Sequence, residues 1–112
     1  MTAQNDLVGR IRGLLGDEAV REVAMFGGRS LMVNDRMIVS VRKGGDLLVR
    51  VDPEHDADLL TRRGASRGVM GAGRAMAVGW IAVSADAIDD DRTLSSWLDA
   101  AVAYNRSVTG DR

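Results

Sequence analysis

Between Val20 and Asp52 the chain alternates strand-forming runs with turn signals, and no other stretch restricts the fold so strongly. Met25-Phe26-Gly27-Gly28 joins the only Phe of the chain to a glycine pair. Phe26 offers a large apolar anchor, while Gly27 and Gly28 permit backbone angles or a close approach that a side chain forbids. The stretch predicts a first strand that begins near Val20, bends at the pair and continues to Val33. Asn34-Asp35 is a tight-turn signal, and the run from Met37 to Arg42 predicts the second strand. Gly44-Gly45 suits positive φ in the next turn, and Leu47 to Val51 predicts a third strand. Three strands joined by short turns make an antiparallel meander. The near-continuous apolar character of the second and third predicts a largely covered sheet.

Helical patterns flank the meander. Leu7, Ile11, Leu14 and Leu15 recur at the spacing of one apolar helical face, with Arg10 and Arg12 turned to water and Gly16 placed to end the helix. Asp52-Pro53-Glu54 predicts the next helix start. Asp52 caps, Pro53 fits the first turn, and Glu54 complements the positive end of the dipole. That helix is expected to run through Leu59 and Leu60 and stop at Gly64. Ala65 to Met70 reads as a short strand, residues 71–74 as a turn, and Ala75 to Val83 as the last strand around Trp80. One of Asp89, Asp90 and Asp91 is expected to cap a final helix with the stripe Leu94, Trp97, Leu98, Ala101 and Val102. The tail from Thr109 onward is expected to fray. The reading is one α+β domain in the order α-β-β-β-α-β-β-α, a five-stranded, mainly antiparallel sheet packed with three helices.

Composition narrows the chemistry. A 112-residue chain with 46% hydrophobic content buries about 60–70% of its unfolded surface, enough for one core without staples. It contains no cysteine, which excludes disulfides, thiolate nucleophiles and cysteine-based zinc sites and fits a reducing cytoplasm. The N-terminus lacks a basic segment leading into an apolar one, so no secretory leader is expected. No apolar run approaches the ~20 residues of a membrane helix. The net charge of −1 gives no global pull toward nucleic acid or anionic lipid.

Three clusters invite a functional reading. Asp52, Glu54, Asp56 and Asp58 surround His55, the only histidine, but residues two apart on a helix point to different faces. A capped, solvated first turn is the simpler account; a metal contact at His55 is the alternative. Gly71-Ala72-Gly73 echoes a dinucleotide fingerprint and fails it, because Met76 stands at the third glycine position and a strand follows where a helix is needed. Arg62, Arg63, Arg67 and Arg74 lie in a stretch from Thr61 to Gly79 without an acidic residue. Arginine binds carboxylate or phosphate bidentately, so these four are the candidate surface for a protein partner or for nucleic acid. Pairing with Asp86, Asp89, Asp90 and Asp91 is the structural alternative. Trp80 and Trp97 read as core aromatics, with a ligand cage as the alternative, and the methionines, with Met25, Met32 and Met37 bunched in the meander, as core filling, with a plastic binding surface as the alternative. No cofactor or catalytic motif is present: there is no Gly-x-Ser-x-Gly, and one histidine alone could serve as a base.

The order Met25-Phe26-Gly27-Gly28, then Asn34-Asp35-Arg36-Met37, then Leu47-Leu48-Val49-Arg50-Val51-Asp52 resembles the N-terminal domain of the TfoX family, the bacterial competence regulators and their stand-alone relatives. The resemblance continues through Leu59-Leu60-Thr61-Arg62-Arg63-Gly64 into the Trp97-Leu98 helix, roughly Asn5 to Arg106. It implies a sheet with helices packed on it and the motif positions Met25, Phe26, Gly27, Gly28, Asp35 and Arg36. It also implies a non-enzymatic interaction module in transcriptional or competence-type regulation. The family's full-length regulators carry a second, C-terminal domain; this chain has the length of the first alone. Nucleic-acid binding through the four arginines is one alternative. A small-molecule binder or enzyme with a pocket near Phe26-Gly27-Gly28 is another. Self-association through a sheet edge is a further expectation.

Overall fold

A meander of four strands forms the centre of the computed structural model, which describes residues 3–16, 19–25, 28–70 and 73–110. Strands β1 (Arg21–Met25), β2 (Gly28–Val33), β3 (Arg36–Val41) and β4 (Leu47–Arg50) pair in sequence, each antiparallel to the last. The strand expected from Val20 to Val33 is therefore two strands. Met25 sits opposite Gly28, so β1 and β2 are antiparallel neighbours where one bent strand was expected. Phe26 and Gly27, to which an anchor and a close approach were assigned, lie outside the described residues. At the next turn Asn34 and Asp35 both adopt positive φ, 53° and 63°. That is the signature of a two-residue hairpin whose twist matches its strands.

Beyond Asp52 the chain makes a single turn of 3₁₀ helix, Pro53–His55, and then the short helix α2 (Asp56–Leu59). Asp52 caps the entry by accepting a hydrogen bond from the Glu54 N–H at 2.9 Å. Strand β5 (Ala65–Arg67) follows Gly64, and β6 (Val69–Met70) pairs with β7 (Arg74–Ala75) as a separate ribbon. The strand expected from Ala75 to Val83 narrows to β8 (Trp80–Val83), which inserts between β4 and β5. The main sheet is thus six-stranded, in the order β1-β2-β3-β4-β8-β5. The sixth strand comes from splitting the first. The α+β class is as expected, and the order of elements matches approximately.

Helices α1 (Ala3–Leu15) and α3 (Asp91–Thr109) cover one face of this sheet. Their buried residues Leu7, Val8, Ile11, Leu94, Trp97, Leu98 and Ala101 meet Leu31, Val39, Val49, Ile81 and Val83 in one cluster. Leu14, expected on the apolar face of α1, is 39% exposed, and Val8 is buried in its stead. Arg10 is not free in solvent either: it reaches α3, donating to Asp91 at 3.1 Å and to the Ile88 carbonyl at 2.8 Å. Between Leu31 and Met32 the register of β2 on β3 slips by one residue. The extra residue, Ile38, lets two successive side chains, Ile38 and Val39, be buried, as a β-bulge does. On the opposite face Ser30, Ser40 and Leu48 are buried, and Gly68 of the ribbon segment lies against Leu48 and Met76.

Helix α3 begins at Asp90, whose carboxylate accepts from the Thr93 N–H at 3.0 Å and its hydroxyl at 3.1 Å. Both bonds hold the Asp90 carboxyl below its ordinary pKa. The helix extends to Thr109 and closes on Gly110 at φ 73°, so the tail expected to fray includes its final residue and its cap. Among the described residues no helix is long and apolar enough to cross a membrane.

Candidate functional site

At one end of the sheet four separate segments leave a cleft of about 300 Å³. The β2–β3 hairpin supplies Met32, Asp35, Arg36 and Met37, β4 and β8 supply Arg50 and Trp80, and α3 supplies Ala101, Tyr104, Asn105 and Val108. Strand pairing sets the geometry, because Arg50 and Trp80 are direct cross-strand neighbours. Helix periodicity adds the rest. Trp97, Ala101, Tyr104 and Val108 recur at intervals of four, three and four along α3, so the stripe that buries Trp97 carries Tyr104 to the cleft two turns later.

Arg50 is the centre of the site. Its guanidinium lies over the Trp80 ring at 4.9 Å and over the Tyr104 ring at 5.0 Å from the centroids. Such stacking is worth about 0.5–2 kcal/mol per ring, more as water is excluded. Among the described residues the Arg50 side chain makes one hydrogen bond, Nη2 donating to the Tyr104 hydroxyl at 3.3 Å. Arg36, at the mouth, is exposed. Asn105, 3% exposed, braces the wall by donating to the Val33 carbonyl at 2.9 Å, and Asn34 donates to the Asn105 side-chain oxygen at 3.3 Å. Of the described motif positions, Asp35 and Arg36 line the cleft, while Met25 and Gly28 pair at the other end of β2.

A buried ion pair fixes the opposite wall. Asp56, expected in a solvated turn, is 4% exposed and receives two bonds from Arg67, at 2.8 and 2.6 Å. The same carboxylate accepts the Gly79 N–H at 2.7 Å, and Arg67 also donates to the carbonyls of Ala77 and Trp80. The Arg67 hydrogen bond lowers the Asp56 pKa against the opposing effect of burial, with the Gly79 N–H and the Arg67 charge adding to the lowering. The pair therefore pins the turn from Ala77 to Trp80. Gly79 within it has φ 99°, and a Cβ there would meet the Arg50 guanidinium and, at 3.0 Å, the Val51 carbonyl oxygen. Only glycine allows the turn to pass this close beneath Arg50.

The four arginines expected to share a surface diverge. Arg67 is turned inward onto Asp56, its side chain 27% exposed. Arg62 lies over the Trp97 ring at 5.4 Å and donates to the Ser96 hydroxyl at 3.4 Å. Arg63 reaches the Asp86 carbonyl at 3.4 Å, and Arg74 is exposed on β7. His55 is exposed beside the buried Asp56, and among the described residues no group of His, Asp and Glu could hold a metal ion.

Sequence reasoning read Trp80 as core and did not single out Arg50, Tyr104 or Asn105. Trp97 is fully buried as expected, but Trp80 is only partly buried and lines the cleft. The signal for Tyr104 was its seven-residue spacing from Trp97; Arg50, the one charge in an otherwise apolar strand, was the signal for itself.

No curated protein and no solved structure is detectably similar to the chain. The TfoX N-terminal domain matches residues 14–104, which include every strand, α2 and most of α3. On that match, the chain belongs to the TfoX N-terminal domain family.

Proposed function

We propose that this chain is a non-catalytic regulatory module that acts in the cytoplasm by binding a protein partner in the Arg50 cleft. The observation that carries the reading is the Arg50 guanidinium set close to both the Trp80 and Tyr104 rings, with Arg36 lining the same cleft. Arginine, tryptophan and tyrosine are the residue types in which binding energy at protein interfaces concentrates. Met32 and Met37 add an adaptable apolar floor. The lining holds no Ser, Thr, Cys, Lys or His, so it presents groups that bind and none of the usual nucleophile–base pairs. Membership of a family of regulators agrees with this role.

The test is capture from the native lysate on the tagged chain, with and without nuclease, at two salt concentrations. A partner bound through the cleft survives nuclease and moderate salt. It is lost on Arg36→Gln and Arg50→Ala, and retained on Arg62→Ala, Arg63→Ala and Arg74→Ala. The opposite pattern, or recovery only of nucleic acid that dissociates as salt rises, would overturn the reading in favour of the arginine surface.

A further inference from the structure

We infer that the Arg50 cleft recognises the free C-terminal residue of a partner chain, binding its α-carboxylate with Arg50 and Arg36 and its apolar side chain against Met32, Met37 and Val108. The inference rests on the reading of the cleft as the contact site and names what enters it.

Charge selects the anion. The lining carries two cations, Arg36 and Arg50, and one anion, Asp35, which already pairs with Arg21 at 3.7 Å. A positive lining of this kind favours an anionic group on the ligand. The form of Arg50 agrees. Its Cζ lies 4.9 and 5.0 Å from the Trp80 and Tyr104 ring centroids and the Gly79 turn passes beside Nη1, so a ligand meets the N–H groups that these contacts leave open. There the planar fork of N–H groups matches the two oxygens of a carboxylate. Tyr104 holds one edge donor at 3.3 Å and keeps the plane from rotating. Arg36 makes no ion pair with any described residue and is available at the mouth.

Size selects the terminus. A space of about 300 Å³ lies at the small end of ligand pockets. It has room for one large residue, not for a folded element. The cationic and the apolar lining share this one small space, so carboxylate and apolar group must sit close together. A C-terminal residue carries both on the same Cα. An internal Asp or Glu would have to borrow its apolar group from a neighbour, with the chain running on in both directions across the mouth. Capture of a terminal carboxylate by a preset array of donors is an established mode of peptide recognition.

Nuclear magnetic resonance titration of the full chain with three probes tests this. They are N-acetyl-alanyl-leucine as the free acid, its C-terminal amide, and N-acetyl-glutamyl-alanine amide, which carries its carboxylate on a side chain. The free acid is expected to shift the Trp80 indole N–H and the amides of Asp35 to Met37, with a roughly millimolar Kd, and to leave the buried Trp97 indole in place. The two amides should bind at least about fivefold more weakly. Arg50→Lys, which keeps the charge and loses the fork, should weaken the free acid about tenfold. Arg36→Gln, at an exposed position that does not bear on folding, should weaken it several-fold. Equal binding of the leucine amide would overturn the carboxylate, and equal binding of the glutamyl probe would overturn the terminus. No shift at the cleft would overturn both. These failures are separable from failure of the cleft as a partner site. If the acid does not bind while Arg50→Ala still abolishes partner capture, only this inference falls. If the acid binds while capture is indifferent to Arg50, only the partner reading falls.

Discussion

Asp56 shows how one residue can shape a site it does not enter. Its carboxylate joins Arg67 to the Gly79 N–H and so holds the turn that supplies Trp80. Removing the charge leaves Arg67 facing two carbonyls without its counter-ion. Asp56→Asn should therefore cost about 2–3 kcal/mol at neutral pH, less than for a fully buried pair because Arg67 is partly exposed. The folded-state pKa of Asp56 lies below its ordinary value of 3.8. A lowered carboxyl pKa means that the charged form is favoured in the folded state, so the stabilisation is complete above 3.8 and fades as pH falls through that value toward the folded one. Urea unfolding of wild type and Asp56→Asn at pH 7 and again near pH 3 should show the gap between them narrowing on acidification. A gap that stays constant or widens would contradict this role. In the sequence Asp56 looked solvated because it stands among other carboxylates on a helix start. Its partner, eleven positions on, is set by tertiary packing that local periodicity does not encode.

At the scale of elements, what was legible followed from short-range rules. The caps at Asp52 and Asp90, the Asn34-Asp35 hairpin and the α3 stripe each depend on residues a few positions apart, and each is where the pattern placed it. The segments misread are those decided by pairing across the chain. Whether the run from Val20 to Val33 forms one bent strand or two depends on whether β1 finds β2 beside it. Trp80 looked like core because hydrophobicity does not separate a buried ring from one at the rim. Its exposure follows from β8 lying beside β4 with Arg50 opposite. The turn that leads into β8 carries its own prediction. Gly79→Ala places a side chain at φ 99° and a Cβ against Arg50 and the Val51 carbonyl oxygen. It should lower stability by about 1–3 kcal/mol through backbone strain and shift the Trp80 indole resonance as Arg50 is displaced. Wild-type stability together with an unchanged indole signal would show that the turn does not control the stack.

On the scale of the whole molecule, the cleft exists only when the fold is complete. Arg50 and Tyr104 are 54 positions apart, and Asn34 and Asn105 are 71 apart. The helices cover one face of the sheet, and the cleft opens at its end, where the β2–β3 hairpin and the last turns of α3 project beyond the core. The lining groups of the cleft are thereby carried on strands, a hairpin and a helix of the fold. The family match spans the sheet and the part of α3 that carries Tyr104. Arg36 and Arg50, two positions of the motifs that made the resemblance legible, are drawn together here with an aromatic pair whose partnership no linear motif displays.

The measurement that bears most directly on this account is site-specific photo-crosslinking in the native lysate. A benzophenone-bearing residue would replace Val108, 39% exposed at the cleft wall, or Arg74, exposed on the ribbon. The account predicts a discrete crosslinked protein from position 108 that disappears when Arg50→Ala is added, and none from position 74. A crosslink from position 74 alone, or one from position 108 that is indifferent to Arg50, would contradict it.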